Sequence, residues 1–158
     1  MSLSLPVDTY SPDQLSELVL ELQDLSSAAR DANARRKDDT TSIEAPTLSV
    51  DLSQLLQQNN ISPDDPSALE TFTKEVVTTL EKAPTVHILL AAMPARAMRR
   101  QIVTWFRTEI NAQSLVTFAA RSDLGGGAVV QVGSHLYDLS FRRLIIDHKA
   151  RITEIAGV

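Results

Sequence analysis

Apolar residues in the first half of the chain recur at helical spacing. Leu15, Leu18, Val19, Leu22 and Leu25 follow an i, i+3, i+4, i+7 rhythm and predict a helix from Pro12 into the early thirties. Its start is marked by Ser11-Pro12-Asp13-Gln14: a capping serine, a proline suited to the first helical position, and a glutamine that completes a capping box. Arg30, Arg35, Arg36 and Lys37 give it a basic end, which complements the helix dipole. Leu48, Leu52, Leu55 and Leu56 mark a short helix stopping at Asn59-Asn60. Ile61 to Pro66 reads as a turn-rich spacer, and Leu69, Phe72, Val76, Val77 and Leu80 as the face of a helix from Pro66 to Lys82. Each helix shows one narrow apolar stripe. The expectation is a loosely connected helical half, poor in core residues, with a polar linker at about 38–47 (Asp38 to Pro46 reads DDTTSIEAP).

The period changes after Pro84. Thr85 to Ala92 is nearly continuous in apolar residues, which predicts a strand covered on both faces. Pro94 opens a helix expected to bury Met98, Ile102, Trp105, Phe106 and Ile110. Ser114 to Ala120 reads as a second strand. Gly125-Gly126-Gly127 separate it from a third, Ala128 to Val132, which turns at Gly133-Ser134 into a fourth, His135 to Asp138. Ser140 can cap a last helix carrying Phe141, Leu144, Ile145, Ile152 and Ile155. The predicted class is α+β. A helical region spans residues 1–83, and a small mixed-sheet α/β domain in the order β-α-β-β-β-α spans 84–158.

Composition narrows the chemistry. Hydrophobic residues make up 43 % of 158, enough for a packed core, and there is no cysteine. Disulfides, thiol nucleophiles and cysteine-ligated metals are therefore excluded. No stretch reaches the roughly 20 apolar residues of a membrane-spanning helix, and the N-terminus lacks the pattern of a secretory signal. The net charge of −5 is unevenly placed. Up to Ala83 there are 15 acidic and 6 basic residues, a balance of −9; from Pro84 there are 9 basic and 5 acidic, a balance of +4. Such asymmetry fits either two different partners or two solvated surfaces.

Candidate chemistry is thin. The three glycines lead into a strand and not into Gly-Lys-Ser/Thr and a helix, so they read as a bend that brings backbones close, and no nucleotide or other cofactor is expected. His135, Asp138 and Ser140 lack a nucleophile elbow and read as turn and cap. His87, His135 and His148 share no metal-ligand spacing. Asp38-Asp39 and Asp64-Asp65 are loop carboxylates. No catalytic or metal-binding residue is assigned. Arg96, Arg100 and Arg107, at about 100° per residue, fall within about 40° of one another, with Arg99 alongside. Exposure of this stripe would suit an acidic partner helix, and a solvated face is the alternative. The acidic whole-chain balance argues against nucleic acid.

The run Ser122-Asp123-Leu124-Gly125-Gly126-Gly127-Ala128-Val129-Val130-Gln131-Val132-Gly133, followed by Tyr137-Asp138-Leu139-Ser140-Phe141-Arg142, resembles the C-terminal signature of the F-type ATP synthase delta subunit. The mitochondrial equivalent is the oligomycin-sensitivity-conferring protein. Leu124, Gly126, Gly127, Gly133, Asp138 and Ser140 carry the match, which extends over about Pro84 to Arg151. Gly125 stands where the family has an apolar residue, and Leu139 where it commonly has glycine. The family's N-terminal bundle of about six helices is not matched by the three predicted here. The resemblance implies a non-catalytic peripheral-stalk (stator) subunit used in proton-driven ATP synthesis. It would lie in the cytoplasm on the inner face of a bacterial cell membrane, held there by its complex and not inserted in the bilayer. The implied partners are the C-terminal helices of the b subunit and, through the helical half, the alpha subunits of the catalytic head. Arg96, Arg100, Arg107, Phe141, Arg142 and Ile145 are the expected partner-binding residues. An E-type stator subunit of a V/A-type ATPase, or a cytoplasmic adaptor with a similar head, are the alternatives.

Overall fold

The computed structural model describes residues 3–36 and 47–148; the expected linker and the continuation of the last helix to Ile152 and Ile155 lie outside them. Three helices come first: α1 (Pro12–Arg36), α2 (Val50–Gln58) and α3 (Pro66–Lys82). After them come β1 (Thr85–Leu90), α4 (Arg96–Glu109), β2 (Leu115–Ala120), a 3-10 turn over Ser122–Leu124, β3 (Gly127–Val132), β4 (His135–Ser140) and α5 (Phe141–Asp147). The class is α+β, with the predicted element order. The four strands lie in the order β2-β1-β3-β4. β1 runs parallel to β2 and antiparallel to β3, and β3 is antiparallel to β4, so the sheet is mixed.

The predicted helix start is built as a capping box. Gln14 Nα donates to Ser11 Oγ at 3.2 Å, while Gln14 Oε1 accepts from the backbone N–H groups of Tyr10 and Ser11 at 3.1 and 3.2 Å. Ser49 caps α2 and Asp65 caps α3, with Pro66 following at the first helical position.

The helical half is not poor in core residues. Its cluster joins Leu15, Leu18, Val19, Leu22, Leu25 and Ala29 of α1 to Leu52, Leu55 and Leu56 of α2 and to Leu69, Phe72 and Val76 of α3. The three stripes are narrow singly, but they converge on one another. α3 also buries Thr73, whose hydroxyl is satisfied by donating to the Leu69 carbonyl at 2.7 Å. The second core lies between one face of the sheet and α4: Val86, Ile88 and Val116 against Val103 and Phe106.

Two expectations about this second core fail. Among the described residues β1 is fully covered on one face only; Val86 and Ile88 are buried, while on the opposite face His87 is exposed and Thr85 and Leu89 are half-buried. The buried side of α4 is also turned in part from the predicted one. Ile102 and Phe106 pack toward the sheet as expected, joined by Val103, whereas Met98, Trp105 and Ile110 are exposed. Trp105 and Phe106 are one residue, hence about 100°, apart on a helix, and only one of them can point at the sheet.

Packing crosses the expected domain boundary at Ala83/Pro84. Leu115, the first residue of β2, belongs to the helical core, and Tyr10 packs against the sheet core.

Candidate functional site

The expected basic stripe divides into two unlike parts. Arg96 and Arg100 remain open, with side chains 71 % and 54 % exposed, and both reach the same carboxylate. Arg96 Nη2 donates to Asp8 Oδ2 at 2.9 Å, and Arg100 Nε lies 3.6 Å from Asp8 Oδ1. The hydrogen bond and charge of Asp8 hold the Arg96 guanidinium above its ordinary value. Neighbouring Arg99 places its guanidinium 6.0 Å from the Tyr10 ring centroid.

Arg107 is not an exposed member of the stripe, and this corrects the sequence reading. Its Nη1 donates to the carbonyls of Leu5 at 2.9 Å and Pro6 at 2.8 Å, and its Nη2 to that of Thr9 at 2.7 Å. Burial pushes this guanidinium down to about 10, which still leaves it charged at neutral pH. Residues 3–10, which carry no periodic pattern, run over that side of α4 and cover it. Leu3, Leu5, Pro6 and Thr9 are buried. Sequence reading missed this segment because irregular backbone has no repeat to detect. A dense run of buried types in a stretch outside any helix (Leu3, Leu5, Pro6) was the available sign.

The other expected residues lie on α5 and its approach, beside β4, the edge strand opposite β2. Asp138 and Ser140 build the approach. Asp138 Oδ1 accepts from the Ser140 backbone N–H at 3.0 Å, and Ser140 Oγ accepts from the Arg143 N–H at 3.3 Å. Those contacts with Ser140 hold the Asp138 carboxyl below the usual carboxylate range. The Ser140 hydroxyl serves as a helix cap. By strand alternation His135 falls on the opposite face of β4 from Asp138 and Ser140, so these three are not brought together.

The glycines do what a bend requires. At Gly127, φ is +76°, and a Cβ there would run into the Leu139 carbonyl and come within 2.9 Å of Ser140 Cα. At Gly126 a Cβ would meet the Phe141 ring at 2.5 Å. Leu124 is buried, and Gly133 opens the hairpin turn at φ +57°.

β4 and α5 carry several exposed apolar side chains among the described residues. Leu136, Leu139, Phe141, Leu144, Ile145 and Ile146 are each more than half exposed. Arg142 is exposed beside them, and Arg143 pairs with Asp147 at 2.8 Å along the same helix. Phe141, Leu144 and Ile145 share one face of α5 by helical spacing, and with the adjacent arginine they have the composition of a protein-binding surface. The expected partner residues thus occupy two places: Arg96 and Arg100 on α4, and Phe141, Arg142 and Ile145 on α5.

Among the described residues no group of three or more His, Asp or Glu side chains could hold a metal ion. None of the described helices is long and apolar enough to cross a membrane.

No family model and no curated protein matches the chain. Among solved structures, it resembles a chain of the Toxoplasma gondii mitochondrial ATP synthase hexamer, determined by cryo-EM. The TM-score is 0.38 and the sequence identity 17 %, over 86 % of each chain. A likeness of that degree bears on neither the fold nor the activity of this protein.

Proposed function

We propose that this chain is a non-catalytic peripheral-stalk subunit of a rotary F-type ATP synthase. In this reading the β4–α5 side of the sheet half holds the C-terminal helices of the b subunit, and the helical half meets alpha subunits of the catalytic head. The observation that carries it is the exposed apolar face of α5 formed by Phe141, Leu144 and Ile145. It adjoins the glycine bend and the Asp138–Ser140 cap that resemble the delta-subunit signature. The task of a stator is to hold position under torque, which calls for a stable apolar contact and no bond-making chemistry. An amphipathic helix laid along α5 would remove this surface from water at about 25 cal/mol per Å². The long-helix architecture of an E-type stator is less suitable, because α1 is folded back onto α2 and α3 in a shared core.

The test is affinity purification of the tagged chain from detergent-solubilised membranes of its own source, with partners identified by mass. Recovery of ATP synthase subunits in fixed proportion is expected. Recovery of the chain alone, or with a fixed set of unrelated soluble proteins, would replace the stator by the adaptor reading.

A further inference from the structure

Residues 3–10 touch both halves of the molecule. At one end Leu3 and Leu5 enter the helical core, and the Ser4 N–H donates to Asn59 Oδ1 at 2.9 Å while Asn59 Nδ2 donates back to the Ser4 carbonyl at 2.9 Å. At the other end the Tyr10 ring stands edge-on to Phe118 at 5.6 Å in the sheet half. There the Val116 N–H donates to the Tyr10 carbonyl at 2.6 Å. Between these ends lie the three carbonyls bound by Arg107 and the Asp8 carboxylate shared by Arg96 and Arg100.

We propose that residues 3–10 form a strap that locks the helical half and the sheet half into one rigid unit, with Arg107 as its latch. The covalent connection between the halves is only Ala83-Pro84, between the end of α3 and the start of β1. The halves also meet where Leu115 enters the helical core, and the strap adds an attachment on a different element, which restricts rotation about the backbone dihedrals of Ala83. Arg107 suits the latch because its fork holds several donors in one plane. Three of its hydrogen bonds go to strap carbonyls, and Nε reaches the Ser114 carbonyl at 3.4 Å. A charged donor that leaves this half-buried site would strand carbonyls that the strap partly shields from water, so the latch resists partial opening. The strap is independent of the stator reading, since it would make the same rigid unit in an adaptor.

The test uses the full chain, which has no native cysteine to interfere with labelling. Spin labels at Leu20→Cys on α1 and Ser134→Cys in the β3–β4 turn report the distance between the halves, and both positions are exposed. The expected distance distribution is single and narrow, and it broadens in Arg107→Gln. The Val116 amide should exchange at least about tenfold faster in that variant, the effect of losing one charge-assisted hydrogen bond, while the Ile88 amide keeps its rate. A folded Arg107→Gln protein with unchanged distance width and unchanged Val116 exchange overturns the proposal. If that variant does not fold, Asp8→Ala/Tyr10→Ala loosens the strap from the sheet half without touching Arg107. The same two readouts then apply, and no change in either is again the overturning result.

Discussion

Trp105 and Phe106 stand edge to face, with ring centroids 5.0 Å apart and planes at 83°, yet their fates differ. Phe106 is 7 % exposed against the sheet, and Trp105 is 55 % exposed. Truncating them should therefore separate cleanly. Phe106→Ala is expected to cost about 3–5 kcal/mol, transfer and cavity together. Trp105→Ala should cost only about 1 kcal/mol, the worth of an aromatic contact at the surface. Urea denaturation of the two variants measures this; equal losses would mean that Trp105 is covered.

The helical half should be as well protected as the sheet. Leu15, Leu22, Leu52, Leu55, Leu69 and Val76 are all essentially without exposure, a denser set than the core between the sheet and α4. Amide hydrogen exchange around Leu22 and Val76 is expected to be at least as slow as at Ile88, and fastest among the strands along the outer edge of β4. Uniformly fast exchange in α1 and α3 would show that their packing is loose.

Two glycine substitutions should differ by their surroundings. Gly127→Ala combines an unfavourable φ with a clash against the β4 backbone and is expected to cost about 2–4 kcal/mol. Gly133→Ala has nothing within 4 Å of the new methyl group. Only the left-handed backbone opposes it, at about 1 kcal/mol. Thermal unfolding of both variants decides, and equal shifts in Tm would contradict the close approach of β3 and β4.

Asp138 predicts an acid-sensitive cap. Its carboxyl lies lower in the folded chain than in the unfolded one, so its contribution is present above the unfolded value of about 3.9. It is lost as pH falls below that value and through the lower folded one. The wild-type protein should lose stability through this group as pH falls below about 4, and Asp138→Asn should be flatter there. Denaturation midpoints across this range, with Ser140→Ala at neutral pH as the companion loss of the cap (about 1 kcal/mol), make the comparison. Parallel pH curves for wild type and Asp138→Asn would remove Asp138 from the cap.

On the proposed stator reading, binding to the C-terminal segment of the b subunit should divide by surface. Phe141→Asp/Ile145→Asp is expected to speed dissociation by about tenfold or more, because it places charge within the apolar contact. Arg96→Glu/Arg100→Glu should slow association and weaken its salt dependence. Arg107 is left out because reversing a half-buried latch would test the fold instead. Surface binding kinetics at low and high salt, with circular dichroism on each variant, read both effects. Unchanged dissociation in the folded α5 variant would move the contact away from that helix.

Where local rules suffice, the chain is legible in one dimension. The Ser11–Gln14 box, the Ser140 cap, the Gly133-Ser134 turn and the order of helices and strands follow from neighbours within four residues of one another, and hydrogen bonds or backbone angles settle them locally. The narrowness of the α1, α2 and α3 stripes is equally legible, but their sufficiency is not. Whether three narrow stripes make a core depends on their converging, which is a property of helix placement. The same limit governs α4. Helical periodicity groups Trp105 with Phe106 and Arg107 with Arg96 and Arg100, because it fixes angles around an axis and says nothing about what lies on each side. The sheet claims Phe106, and the strap claims Arg107 through carbonyls that any residues at positions 5, 6 and 9 would supply. Backbone carbonyls leave no trace in side-chain identity, so a latch made of them could be found only once the chain had been folded back across α4.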